Sequence, residues 1–326
     1  MSIPSTPVPG AATDEGAAGA SGAPGVADAP VMARPPVGSS RRFTGARVLS
    51  EAIPQVFVLS WALMVVLPLV WVLLSSFKDN QEIFSHPFAL PKVWQFGTYA
   101  DAWATANIGR FLLNTLVVVV CGVFFTLLLS SMAAYVLARY EFPGSRAIYY
   151  LFLVGFTFPL FLAIVPLFKV TQNLGLYQSP LGLIIVYVAF SLPFSVFFLT
   201  AFFASLPKEL AESAFIDGAG HFRTFFQIML PLAKPGLISI GVFNFLGQWN
   251  QYLLPLVLNP PKDQQRSNFL LTQGLADLAL RTRYESSATS VAEMFAGLVI
   301  AMIPVLAVYI VFQRRVEEGL TAGALK

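Results

Sequence analysis

Charged side chains are scarce in this sequence, at 11% of residues, where a soluble domain carries about 25%. Cysteine is nearly absent: Cys121 stands alone inside an apolar run, which excludes a disulfide framework and a cysteine metal cluster. His86 and His221 are too few and too far apart in sequence to suggest a metal centre. No G-x-x-x-x-G-K-[S/T] phosphate loop occurs, so the chain does not hold ATP in the usual way. The apolar stretches contain neither a nucleophile–base pair nor paired carboxylates. No catalytic residue, cofactor or metal site is therefore expected, and no enzyme. A net charge of +3 says little about partners, and a nucleic acid is not expected among them.

What is present is apolar: 56% hydrophobic residues, with 30 Phe. That places the chain in the membrane class. Six uncharged stretches, near 53–77, 111–138, 147–168, 180–204, 236–258 and 294–312, each reach the roughly 20 residues a spanning helix needs. Alternating β-barrel patterning is absent, so the fold expected is an all-α membrane protein of six transmembrane helices. Residues 1–48 form a tail whose first 40 or so residues are rich in Ala, Gly, Pro and Ser. Too little surface can be buried there to offset the entropy of ordering, so disorder is expected. The membrane domain then covers 49–315, and 316–326 form a C-terminal tail. Prolines interrupt the apolar runs at Pro68, Pro159, Pro166, Pro193, Pro255 and Pro304. Each frees backbone groups and permits a kink, either as a hinge or as ordinary shape-fitting.

Basic residues sort the loops. Arg41, Arg42 and Arg47 precede the first stretch, Arg139 and Arg146 bound the second loop, Lys208, Arg223 and Lys234 mark the fourth, and Arg314 and Arg315 follow the sixth. The positive-inside rule then puts both termini and the 206–235 segment in the cytoplasm, and the longer 78–110 and 259–293 segments outside.

Leu206 to Pro235, LPKELAESAFIDGAGHFRTFFQIMLPLAKP, is the longest polar-bearing segment on that inner side. Pro207 suits a first helical turn. Leu210, Ala211, Ala214 and Phe215 give a first helix an apolar face. Asp217-Gly218 reads as a turn. Phe222, Phe225, Phe226 and Met229 then fall at i, i+3, i+4 and i+7, a second apolar stripe. Glu212-Ser213-Ala214-Phe215-Ile216-Asp217-Gly218-Ala219, followed by Ile228-Met229-Leu230-Pro231-Leu232-Ala233-Lys234-Pro235, resembles the EAA coupling loop of binding-protein-dependent ABC importer permeases. Ser213 departs from the family's first alanine but stays small. The resemblance implies the type I importer permease fold, with a cytoplasmic two-helix coupling loop. It also implies a second permease subunit, two ATP-binding subunits and an extracytoplasmic solute-binding protein as partners. Glu212, Ala214, Asp217, Gly218, Ala219, Phe222 and Phe225 are then the candidate ATPase-coupling residues. Solvated surface and helix capping remain the plainer roles for Glu212 and Asp217.

The fifth stretch carries Gly241, Asn244, Gln248, Gln251 and Tyr252 largely on one face, with Trp249-Asn250 beside them. The run FLGQWNQYLLPL at 245–256 and the C-terminal EGLTAGALK resemble the carbohydrate branch of these permeases, closest to the second permease subunit of maltose-type systems. Two readings stand for Asn244, Gln248, Trp249 and Asn250: they line a sugar path, or they bond to neighbouring helices. In the outer 78–110 segment, Trp94, Phe96, Tyr99 and Trp103 suit the headgroup level of a bilayer or an external partner. An ion-gradient transporter or channel is the alternative function, but intramembrane ionisable residues and inverted repeats are missing.

Overall fold

The computed structural model describes residues 45–104, 106–264, 266–284 and 291–324. Most of the expected N-terminal tail lies outside these residues, but its last turn does not, because a helix begins at Gly45. Among the described residues fourteen helices follow one another: α1 (Gly45–Ser75), α2 (Asn80–Ser85), α3 (Gly97–Ala104), α4 (Ile108–Arg139), α5 (Ser145–Thr157), α6 (Leu160–Asn173), α7 (Pro180–Ser205), α8 (Glu209–Ile216), α9 (His221–Thr224), α10 (Leu230–Leu232), α11 (Lys234–Trp249), α12 (Leu253–Leu258), α13 (Leu271–Tyr284) and α14 (Val291–Ala324). A π-helical turn, Phe225–Met229, joins α9 to α10. Four of the described helices are long and apolar enough to cross a membrane, or six spans result if two bent pairs each count as one.

The compact body runs from Leu59 onward. Its axis is α4 against α7, with α11 and α14 packed beside them. Mean hydropathy reveals these helices because burial in lipid requires apolar side chains throughout, whereas it carries no information about helix direction. Two spans consequently differ from the straight rods expected. The stretch at 147–168 breaks into α5 and α6, which meet at 102°. Pro159 has no N–H to continue the ladder and drives the preceding residue out of helical geometry; Phe158 is extended at φ −71°, ψ 124°. Pro166, Pro193 and Pro304 stay inside continuous helices. The stretch at 236–258 stops at Trp249, and Asn250 to Tyr252 separate it from α12. At the other end of the chain, α14 runs through the expected 316–326 tail as far as Ala324.

The segments cluster at opposite ends of α4. Ala134 and Tyr135 pack with Leu199, Phe202, Phe203, Phe225, Met229 and Ile240, close to the 206–235 segment. Ile108 and Phe111, near the start of the helix, pack with Phe269, Leu271, Trp249 and Ile300. At 1.5 Å per residue the 32 residues of α4 span about 48 Å, enough to carry the two clusters to the two faces of a bilayer. The 78–110 segment folds beside the Ile108 end of α4. Lys78 is fully buried there, its Nζ donating to the His86 and Pro87 carbonyls at 3.0 Å each, while Trp71 Nε1 donates to Pro87 O at 2.8 Å.

Candidate functional site

The 206–235 segment is an elbow, and its bend is a hydrogen-bonded helix end. The amide of Gly218 donates to Phe215 O at 3.0 Å and that of Ala219 donates to Ala214 O at 2.9 Å. This paired arrangement closes a helix around one left-handed residue. Gly218 supplies it at φ +79°, a backbone state that costs a residue with a Cβ about 1 kcal/mol or more. No atom lies within 4 Å of where a Cβ would stand, so the requirement is conformational and not steric. Asp217 occupies the capping position before it.

The elbow is fastened at four points. Ala211 and Ala214 are buried on one side of α8, and Phe225 and Met229 are buried beyond α9. The π-helical turn widens the repeat there, so the expected stripe divides. Phe225 goes inward, its ring 5.1 Å from Tyr135 and 6.5 Å from Phe203, while Phe222 is 75% exposed. His221, to which the sequence alone gives no role, bridges the parts. Its Nδ1 lies 2.8 Å from the Tyr140 hydroxyl, and its ring stands edge-on to Phe215 at 5.1 Å. Arg139 Nη2 donates to Leu206 O at 2.7 Å and holds the entry to the elbow.

What remains outside is an apolar surface on a rigid bend. Ile216 and Phe222 are strongly exposed, with Leu210, Phe215 and Phe226 partly so, and Glu212 and Asp217 are exposed beside them. Ala214 and Phe225 thus belong to the foundation of the elbow, and Glu212, Asp217 and Phe222 to its free face.

The four residues of the fifth stretch do not form one group. Asn244 is buried, donating through Nδ2 to Ser195 Oγ at 2.9 Å and to Ile240 O at 2.9 Å. Gln248, also buried, donates to Ser191 Oγ at 3.1 Å. Both join α11 to α7. Trp249 faces the other way, stacked on Phe245 and donating to Ala301 O of α14 at 3.3 Å. Asn250 is exposed and bonds back to Leu246 O, closing the end of α11. Asn244 and Gln248 border a cleft of about 340 Å³ that Trp249 and Asn250 do not reach.

Known proteins resemble this chain in sequence and in fold. A diacetylchitobiose uptake system permease protein of Streptomyces coelicolor is 49% identical over 288 residues, covering 88% of this chain and 91% of that protein. A trehalose transport system permease protein of Mycobacterium tuberculosis is 32% identical over 283 residues, 84% of this chain and 96% of its own. Among solved structures, a bacterial ABC transporter that imports alginate matches in fold with a TM-score of 0.69 at 21% identity, over 84% of this chain and 99% of that one. Residues 126–322, which take in the elbow and the polar seam of α11, match the family described as binding-protein-dependent transport system inner membrane component. The chain belongs to that family and is a multi-pass membrane permease without an ATPase of its own.

Proposed function

We propose that this chain is one of two permease subunits of an ATP-driven importer for a saccharide, of the N-acetylated disaccharide class named for its relative in Streptomyces coelicolor. A solute-binding protein delivers the sugar at the end of the bundle that carries 78–110 and 259–284. A pair of ATP-binding subunits docks at the other end, which is cytoplasmic together with both termini. The observation that carries this reading is the elbow: an apolar face held at a fixed angle by a helix-closing glycine and rooted in the membrane core through Phe225 and Met229. Such a patch marks an interaction surface. Because it is rigid, movement of a docked partner passes to α4, α7 and α11 and is not absorbed locally. On α1, Trp61, Leu63 and Met64 are more than half exposed; lipid and the second permease subunit cover them.

Co-expression of the chain with its candidate partners, followed by purification through this chain and uptake in vesicles, tests the proposal. The expected result is a complex holding an ATPase and a second permease, with uptake of N,N′-diacetylchitobiose that requires ATP and the binding protein. Uptake by this chain alone, driven by an ion gradient, overturns it.

A further inference from the structure

Two adjacent residues at the elbow end of α4 grip different limbs of the elbow. Arg139, the last residue of α4, donates through Nη2 to Leu206 O at 2.7 Å, ahead of α8. Tyr140, the capping residue that follows, places its hydroxyl 2.8 Å from Nδ1 of His221, the first residue of α9 beyond the bend. The hydroxyl can donate to that nitrogen or accept from it, whichever tautomer the ring holds. Pro207 to Gly220, with α8 and the left-handed turn at Gly218, therefore hang between neighbouring positions of one helix end. A segment held by one limb can swing about the hold, whereas one held by both carries the helix end with it.

The chain itself joins the elbow to α7 before it and to α11 after it, but α4 is reached only across space. Phe225 against Tyr135, with ring centroids 5.1 Å apart, is one such contact; burial of apolar rings is non-directional and leaves the angle of α9 free. Close packing does not fix that angle either. Tyr140 and His221 line, with Met132, Val136 and Phe222, an apolar hollow of about 360 Å³ between α4 and the elbow, so the filled interior that transmits strain elsewhere is missing there. A hydrogen bond is directional, and this one is backed by rings on both sides. Tyr140 stands edge-on to Tyr135 at 5.8 Å, and His221 stands edge-on to Phe215 of α8 at 5.1 Å. From this joint α4 runs to its other end, where Ile108 and Phe111 pack with Trp249 and Leu271.

We propose that Tyr140 and His221 are positioning residues for coupling: their contact sets the angle of α9 on α4 and passes movement of the docked elbow to that long span. The inference rests on the importer reading. His221 falls in the gap between the two halves of the family resemblance, Glu212–Ala219 and Ile228–Pro235, and Tyr140 lies outside both.

The assembled importer, reconstituted in vesicles with its binding protein, provides the test, with radiolabelled N,N′-diacetylchitobiose as probe. Tyr140→Phe removes only the hydroxyl and keeps the ring; His221→Phe keeps a ring against Phe215 and removes the nitrogen. In each variant the sugar moved per ATP hydrolysed should fall about fivefold, the effect of one ordinary hydrogen bond no longer holding the elbow at its working angle. The ATPase should still co-purify with both. The double variant should fall no further than either single one, because both changes remove the same bond. A sugar-to-ATP ratio within about twofold of the wild type in both single variants overturns the link and leaves the importer reading standing. Losses that multiply to about 25-fold in the double variant also overturn it, since the two residues would then act separately. So does loss of the ATPase from Tyr140→Phe, which would make the contact part of the docking surface. Should His221→Phe fail to assemble, the ratio in Tyr140→Phe alone supports or overturns the link by the same twofold threshold. If the wild-type assembly moves no saccharide at all, the importer reading fails and the link with it.

Discussion

Gly218 concentrates the chemistry of the elbow in one backbone angle. At φ +79° with open space around it, its replacement is penalised through the main chain alone. Gly218→Ala should cost the closing turn roughly 1 kcal/mol and leave the elbow formed most of the time. Gly218→Val adds β-branching to the same angle, which makes the residue a backbone outlier there and should displace α9 from α8. The expected readout is graded: uptake partly retained in the alanine variant and abolished in the valine variant, with equal amounts of both proteins in the membrane. Equal uptake by the two variants would show that the bend is not what couples. Asp217-Gly218 is legible in the sequence because a helix-closing glycine has a local signature. The link between His221 and Tyr140 is not, since it joins residues 81 positions apart and neither residue type announces it.

At the scale of elements, the positions of the apolar stretches are legible in the sequence and the continuity of the helices they form is not. Hydropathy registers how apolar a stretch is, and both halves of the broken 147–168 span are apolar. Pro159 is visible as a possible kink, but only the packed structure separates it from Pro166 and Pro193, which α6 and α7 absorb. The polar residues of α11 are visible as a group, whereas their division depends on where the helix stops: Asn244 and Gln248 turn to α7, Trp249 to α14, and Asn250 becomes a cap. The second elbow stripe departs from its expected register for a similar reason. A spacing of i, i+3, i+4 and i+7 presumes 3.6 residues per turn, and the π-helical turn at 225–229 breaks that presumption. Phe225 is consequently a core side chain, 4% exposed among Tyr135, Phe203 and Met229. Phe225→Ala should cost about 3–5 kcal/mol, as other large buried aromatics do. Thermal denaturation of the purified complex should show a lowered melting temperature. Phe222→Ala, at an exposed position three residues earlier, should leave that temperature nearly unchanged and weaken co-purification of the ATPase instead. The reverse pattern would place Phe222 in the core and Phe225 at the partner.

For the whole molecule the question is which end of α4 meets the cytoplasm. Charge counting assigns the elbow inward, and the structure adds that the elbow and the 259–284 segment occupy opposite ends of one long helix. They therefore cannot share a side of the membrane if α4 spans it. This turns two separate expectations into one experiment. Cys121 is the sole native cysteine, so a Cys121→Ser background accepts one reporter at a time. Glu212, exposed on α8, and Lys262, exposed in the loop after α12, are suitable positions. A membrane-impermeant maleimide added to intact cells stripped of any outer membrane should label Lys262→Cys and spare Glu212→Cys. Inverted vesicles should give the opposite result. Labelling of both from one side would mean that α4 does not cross. Labelling of Glu212→Cys alone from outside would put the elbow beyond the reach of any ATPase.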